Sequence, residues 1–573
     1  MSFVPTRRRF VQGVTSGALL WAAAPWSSPR AASQAAVLSG TEFDLSIDAL
    51  TVNYTGAQRT ATAVNGQLPA PLLRWREGDS VTIRVTNRLS VPSSIHWHGV
   101  LVPAEMDGVP GLSFPGIAPG ETYVYRFRVK QHGTYWYHAH TRFQEQSGLY
   151  GPITIEPRGG ESYRADKDYT VLLSDWSDSD PEHLFVTLKR QSEYFNYRRR
   201  TVADFIAEAR SRGFAASMRD WAPWEELRMD PTDLSDVSAA TYTYLMNGAT
   251  PARNWTALFG AGDSVRLRFI NASAMSFFDI RIPDLDLTVI AADGQEVEPV
   301  TVDEFRMGSG EVLDVIVKPK ADRAYTIFAQ SMDRSGYARG TLSPQAGLQA
   351  AVPVLDPRPL LSVLDMGMGI GAMQNMADMP GMQQGDMADM PGMAGGQPMP
   401  EHHDAAHYGP GVDMRAEMPR TGLDDPGIGL HENGRRVLTY ADLHTLGGPI
   451  DAREPGREIE LHLTGHMQRY MWSFDGRKYS EASPLQFAFG ERLRLVLIND
   501  TMMTHPIHLH GMWSELVAPD GAFQVRKHTV MVQPAQRLSY LVSADALGRW
   551  AYHCHLTYHM AAGMFREVRV ERA

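Results

Sequence analysis

The sequence predicts an all-β protein made of three like domains, and three observations predict it. The chain has 573 residues, more than one hydrophobic core serves, and ordinary domain sizes divide it into about three. One pattern then occurs three times, at residues 78–87 (GDSVTIRVTN), 262–271 (GDSVRLRFIN) and 490–499 (GERLRLVLIN). Within each copy apolar residues alternate with polar ones as on a half-buried strand, after a Gly and an acid that supply the turn and before a closing Asn.

At the N-terminus, Thr6-Arg7-Arg8-Arg9-Phe10-Val11 leads into a modest apolar stretch from Gly17 to Ala24 and then small residues to Ala36. Residues 1–36 resemble a twin-arginine export signal. A membrane anchor is disfavoured, because Gln12, Thr15 and Ser16 interrupt a stretch already short of the ~20 apolar residues that span a bilayer. The expected destination is the periplasm, reached in the folded state through the twin-arginine translocation machinery. A net charge of −11 and a pI near 6.0 exclude a general basic surface for nucleic acid. Arg198-Arg199-Arg200 reads as a solvated helix face. The single cysteine cannot form an internal disulfide, and a monomer is expected.

The first domain, expected at 40–160, carries His96-Trp97-His98-Gly99 and His138-Ala139-His140. Residues two apart on a strand share a face, so each pair presents two imidazoles together. His96 and His98 stand nine and eleven residues after Asn87, and His508 and His510 stand at the same offsets from Asn499 in the third copy. Gly133 precedes His138 by five residues, as Gly548 precedes His553. The second domain, expected at 165–360, offers Ile280 and Ile282 at the first offsets and Phe328-Ala329-Gln330 on the later strand. It has the fold without the ligands. Residues 180–229 read as a helical insertion within it, from the content of residues 202–209.

The third domain, expected at 425–573, holds His505-Pro506-Ile507-His508-Leu509-His510 and His553-Cys554-His555, with His559 and Met564 beyond. Copper in an electron-transfer site takes two imidazoles, one thiolate and a weak axial thioether. Cys554, His559 and Met564 supply all but one imidazole, and His505 is the upstream candidate. The first domain has Ser93, Ala139, Gln144 and Leu149 at the corresponding offsets, so only the third can hold this site. Eight further imidazoles from two domains exceed what one copper accepts, which points to a cluster where the domains meet.

In the order and spacing of these four histidine runs, residues 40–573 resemble the three-domain multicopper oxidases. The resemblance implies three cupredoxin-like Greek-key β-barrels and four copper ions. His505, Cys554, His559 and Met564 would hold the type 1 ion. His96 and His508 would hold type 2, and His98, His138, His140, His510, His553 and His555 the type 3 pair. It also implies that a reductant gives single electrons at the type 1 site and that O₂ takes four of them, becoming water. Cys554, between two type 3 histidines, joins the sites covalently. Asp107, in Met106-Asp107-Gly108, matches an acid that delivers protons in the family, and equally reads as a turn-forming Asp-Gly.

Between the second and third domains lies a linker at 361–424, and residues 365–418 contain twelve of the 28 methionines. Pro380 and Pro391 exclude a long helix there. Thioethers prefer Cu(I), and His402, His403 and His407 add imidazoles, so extra copper is expected on this segment. With Met502-Met503 and Tyr558-His559-Met560, it resembles the periplasmic copper resistance protein A branch. The implied function is oxidation of Cu(I) in copper resistance. A laccase-like phenol oxidase using a small-molecule reductant, and a copper-sequestering protein with a vestigial centre, are the alternatives.

Overall fold

The computed structural model describes residues 36–368, 401, 403 and 409–572. All but the last residue of the expected export signal, and most of the Met-rich run, lie outside the described residues. The chain is mostly β, in six sheets that form three pairs. In the first pair, a five-stranded sheet orders Val37–Ser39, Leu72–Arg76, Tyr150–Glu156, Gly133–His138 and His96–His98. Its partner orders Arg59–Val64, Glu42–Val52, Ser80–Asn87 and Thr122–Arg128. The third pair repeats this plan, with Leu485–Ala488, Phe565–Glu571, Gly548–Cys554, His505–Leu509 and Thr529–Val532 side by side. The second places Trp255–Leu258, Tyr337–Ser343, Tyr325–Ser331, Phe278–Arg281 and Glu304–Met307 in the same order. Hairpin neighbours alternate with strands adjacent in space but distant in sequence, such as Leu72–Arg76 beside Tyr150–Glu156, as Greek-key connections require. Among the described residues no helix is long and apolar enough to cross a membrane.

The repeated Gly and Asn have structural reasons. Gly78, Gly262 and Gly490 all take positive φ, at +90°, +85° and +83°, where a side chain would be strained. Asn87, Asn271 and Asn499 are fully buried, and each Nδ2 clamps two main-chain carbonyls. Asn87 donates to Val91 and Ile117, both at 2.8 Å. Asn499 donates to Met503 at 2.8 Å and Val532 at 2.9 Å. Asn271 donates to Ser276 at 2.9 Å and Met307 at 3.1 Å.

Ser276 lies five residues after its Asn, whereas Val91 and Met503 lie four after theirs, so the middle copy has one residue more in this turn. The ladder agrees: Arg281 pairs with Phe328 as His96 pairs with His138 and His508 with His553. The positions equivalent to the paired histidines are therefore Arg281 and Pro283, one residue beyond the expected Ile280 and Ile282. Phe328-Ala329-Gln330 stands where expected. In place of a ligand, Arg281 meets Glu304 at 3.2 Å and Asp356 at 3.3 Å, and Gln330 donates to Asp356 at 2.7 Å.

Helices Pro181–Arg190, Val202–Arg212 and Phe214–Leu227 stand between strands Lys167–Ser177 and Tyr242–Met246. Asp180 caps the first, with Pro181 opening it, and Thr201 and Asp204 form a reciprocal capping box on the second. The arginine run precedes the second helix rather than lying on a helix face. Arg199 pairs with Glu193 at 2.6 Å, and Arg200 pairs with Glu208 at 3.1 Å and covers the Trp221 ring.

The flanks of the Met-rich run come together. Met418 N–H donates to Gly367 O at 3.0 Å, and Glu401 N–H donates to Glu417 O at 3.1 Å.

Asn271→Ala leaves two buried carbonyls without donors, at about 1–3 kcal/mol each. The expected loss is about 2–6 kcal/mol of stability, read as a lower Tm by calorimetry with bound metal unchanged.

Candidate metal centres

Strand Gly548–Cys554 runs antiparallel to His505–Leu509, with Ile507 opposite Cys554 and His508 opposite His553. Its alternation sends Cys554 to one face and His553 and His555 to the other. On the first face, ligand atoms of His505, Cys554 and His559 lie within 4.8 Å of one another. Cys554 Sγ is 3.5 Å from His505 Nδ1 and 3.9 Å from His559 Nδ1, and the two nitrogens are 3.2 Å apart.

The far nitrogens decide which way the lone pairs point. His559 Nε2–H donates to the buried Asp236 carboxylate at 2.7 Å, and Trp472 stacks on the ring at 4.0 Å. Thr501 Oγ1 already donates to Asn499 Oδ1, so it accepts from His505 Nε2–H at 2.7 Å. Both Nδ1 lone pairs therefore face the sulfur. Burial pushes the Cys554 thiol far above its ordinary value, so only a bound cation would hold it as thiolate. Met564 is fully buried, and its backbone is tied to both ligating residues. Its N–H donates to His559 O at 3.1 Å, and its carbonyl accepts from Cys554 N–H at 3.1 Å.

The first sheet pair preserves this frame without the donors. Leu149 N–H donates to Gln144 O and Ala139 N–H to Leu149 O, each at 3.0 Å. Ser93 and Gln144, at the positions of His505 and His559, hydrogen-bond each other at 2.6 Å.

On the other face of the cysteine strand, eight imidazoles from the first and third pairs converge. His96, His98 and His508 form one group, His98, His138 and His555 a second, and His140, His510 and His553 a third, each with ligand atoms within 4.8 Å. His553 Nε2 lies 3.3 Å from His140 Nε2 and 3.1 Å from His510 Nε2. Outward N–H groups are occupied: His96 Nδ1 by Asp107 O at 2.7 Å, His508 Nδ1 by His528 O at 2.5 Å, and His553 Nδ1 by Cys554 O at 2.9 Å. Ser309 Oγ donates to Ser273 O and so accepts from His555 Nδ1 at 2.9 Å. Glu145 Oε2 meets His138 Nδ1 at 2.8 Å. His98 is reversed, its Nε2 resting on Thr529 Oγ1 at 3.1 Å and its Nδ1 facing inward.

Among the described residues, the buried Nε2 atoms of His96, His138, His508 and His555 and Nδ1 of His98 meet no hydrogen-bond partner. Burial holds His98, His138, His140, His505, His508, His510 and His555 well below the ordinary imidazole range and takes His553 down to about 4. These rings are neutral at pH 7, the lone pair of His505 aimed at the sulfur and those of the others at the cluster. Unmet, such atoms are costly, and neutral imidazoles braced from behind are what copper takes. The donor set fits the implied ions.

Asp107 is buried against both sheet pairs. Its Oδ2 lies 2.9 Å from His510 Nδ1 and its Oδ1 3.3 Å from His96 Nδ1. Gly108, at φ +81°, passes so close to Ile95 O that a Cβ would stand 1.8 Å away. The Asp-Gly pair is therefore a turn that also aims a carboxylate at the cluster. The sequence did not single out Asp236, Thr501, Glu145, Ser309, His528 or Thr529, because each is a lone residue outside any motif.

Three family models described as multicopper oxidase match residues 46–160, 167–351 and 452–573. A copper resistance protein A homolog of Pseudomonas syringae pv. tomato is 56% identical over 586 residues, covering 99% of each chain. Copper resistance protein A of Escherichia coli is 54% identical over 600 residues, again covering 99% of each. The crystal structure of Fet3p, a multicopper oxidase that functions in iron import, superposes with a TM-score of 0.63 at 19% identity, over 93% of this chain and 91% of that one. At that identity the likeness concerns the fold.

Cys554→Ser removes the sulfur from the three-donor group and none of the eight imidazoles. The visible copper–thiolate absorption should vanish while most copper remains by metal analysis, and a variant that stays blue would refute the sulfur assignment.

Proposed function

Because this chain belongs to the multicopper oxidase family, in its copper resistance protein A branch, we propose that it oxidises Cu(I) with O₂ as acceptor, in copper resistance. His505, Cys554, His559 and Met564 would hold the type 1 ion, His96 and His508 type 2, and His98, His138, His140, His510, His553 and His555 the type 3 pair. Together these four coppers supply one-electron oxidation of the substrate and four-electron reduction of O₂ to water. The observation that carries the reading is the Cys554 strand, whose two faces deliver the thiol to one dry donor set and both neighbouring imidazoles to the other.

The protein's own groups prepare both centres. Asp236 and Thr501 hold the His559 and His505 rings with their lone pairs toward the sulfur. Ser309, Glu145 and the Thr529 hydroxyl do the same for the cluster, so little reorganisation accompanies metal binding. Asp107 bridges His510 and His96 and is the group that passes a proton into the cluster, at its Oδ atoms. Cu(I) as substrate is supported by the soft thioethers of the Met-rich run and by Met560 beside His559. The burial of His559 beneath Trp472 weighs against a phenol pocket there. We take the three units as 40–160, 165–360 and 425–573, joined by the linker at 361–424. The Thr6-to-Val11 motif supports export of a folded monomer to the periplasm by the twin-arginine machinery.

Two experiments test this. Asp107→Asn keeps the shape and removes the acid, so reoxidation of the reduced enzyme by O₂ should slow at least about tenfold, within the range of a lost proton donor. The type 1 spectrum should stay unchanged, and an unchanged reoxidation rate would leave Asp107 as a turn residue.

Replacing residues 369–399 by a short linker removes thioethers and none of the twelve proposed ligands. The apparent KM for Cu(I) should rise severalfold, since a tethered ligand raises local concentration, while phenol oxidation holds or improves. Equal effects on both substrates would reduce the run to a connector.

A further inference from the structure

Electrons have to reach a type 1 centre that has no open edge. His505, Cys554, His559 and Met564 are all fully buried, so no substrate touches one of these side chains directly. Trp472 lies against two of them. Its indole stacks on the His559 ring at 4.0 Å and 24°, and meets the His505 ring edge-on at 5.2 Å and 69°. The hydrogen bond from His559 to Asp236 leads to the Tyr470 hydroxyl, which is fully buried as well.

Elsewhere the indole lies against bare backbone. Strands Arg457–His466 and Met471–Phe474 form a hairpin in which Gly465 pairs with Trp472. A Cβ on Gly465 would stand 2.6 Å from the indole, so a glycine is what lets the ring approach. The Gly465 carbonyl accepts Asp413 N–H at 2.9 Å, and Asp413 belongs to the returning linker. Two further bonds hold that stretch to the hairpin turn. Met467 N–H donates to Asp413 Oδ2 at 2.6 Å, and the Arg469 guanidinium donates to Pro410 O at 2.7 Å. Gly409 and Pro410 are exposed, and Gly411 meets the terminal methyl of the half-buried Met471. Between the exposed linker and the type 1 imidazoles stand Gly465 and the indole.

We propose that Trp472 is the port through which electrons enter the type 1 centre, from a donor on the returning linker at residues 409–413. Electron transfer weakens steeply with the gap between donor and acceptor, and stacked conjugated rings bridge a gap better than aliphatic packing does. One electron leaves Cu(I), which becomes Cu(II), and takes the type 1 ion from Cu(II) to Cu(I). No proton moves, and the indole ends unchanged. The port rests on the type 1 assignment, and the choice of Cu(I) as donor rests on the proposed function.

The test mixes the copper-loaded, full-length protein with Cu(I) without O₂ and follows the bleaching of the blue absorption, then its return when O₂ is admitted. Trp472→Leu should bleach severalfold more slowly than wild type, with Trp472→Phe between them. The position of the blue band, the type 1 midpoint potential and the recolouring by O₂ should stay near wild type, because none of them passes through the indole. Equal bleaching of wild type and Trp472→Leu would overturn the port. So would a shifted band and potential with both steps slowed, which is what a purely structural role predicts. Should Trp472→Leu fail to load copper, Trp472→Phe decides, since its smaller ring fills less of the space beside Gly465, and bleaching at the wild-type rate would overturn the port. A blue wild type that Cu(I) does not bleach refutes the proposed substrate alone, and the same comparison with hydroquinone then decides the port. A copper-loaded protein that is not blue refutes the type 1 assignment and the port with it.

Discussion

The molecule is organised around one strand that must serve two centres at once. Neighbouring residues of a strand face opposite ways, so a cysteine between two histidines cannot give all three side chains to one ion. The face bearing Cys554 has to be closed from within the third sheet pair, by His505, His559 and Met564. The opposite face can be completed only by another unit bearing paired histidines. This forces the first and third sheet pairs into contact. It also explains why the middle pair, which brings no imidazole, still matters: Ser309 reaches His555 and Asp236 reaches His559 from it.

Fixing the tautomers is as important as gathering the rings. Eight convergent imidazoles without metal would be a poor core, since five of them keep a buried ring nitrogen that meets no partner among the described residues. The outer N–H contacts, to carbonyls, hydroxyls and carboxylates, turn that liability into a directed donor set. The middle pair meets the same problem differently. Its equivalents of His508 and His555 are Arg281 and Gln330, and Glu304 and Asp356 close the space as a network of ion pairs and hydrogen bonds. Such buried charges are tolerable when paired.

Much of this was legible in the sequence because it is periodic. The Gly and Asn of each repeat stand at a forced φ and at a carbonyl clamp, and the histidine pairs stand at a strand's two-residue period. The Ser93, Ala139, Gln144 and Leu149 equivalences followed from spacing alone and reappear as the same backbone frame. What escaped was local or distant. The extra residue after Asn271 changes a turn, which has no period, and shifted the middle register by one. Asp236 and Ser309 act across hundreds of residues, Glu145 stands seven from His138, and single polar residues at such separations carry no pattern. The arginine run misled because charge content says nothing about partners, and here the partners are Glu193, Glu208 and Trp221.

The flanks of the methionine run are held at consecutive residues, Glu417 and Met418. The chain therefore leaves the described fold and rejoins it at one place. Between ends so placed, doubling the length of a connecting stretch adds only about 0.6 kcal/mol of closure cost, and none of the described strand pairings includes it. If the run gathers metal as proposed, selection retunes how much, and in which form, by editing this stretch alone, while the redox machinery stays constant. The same property makes it a natural graft point for a foreign chelating peptide.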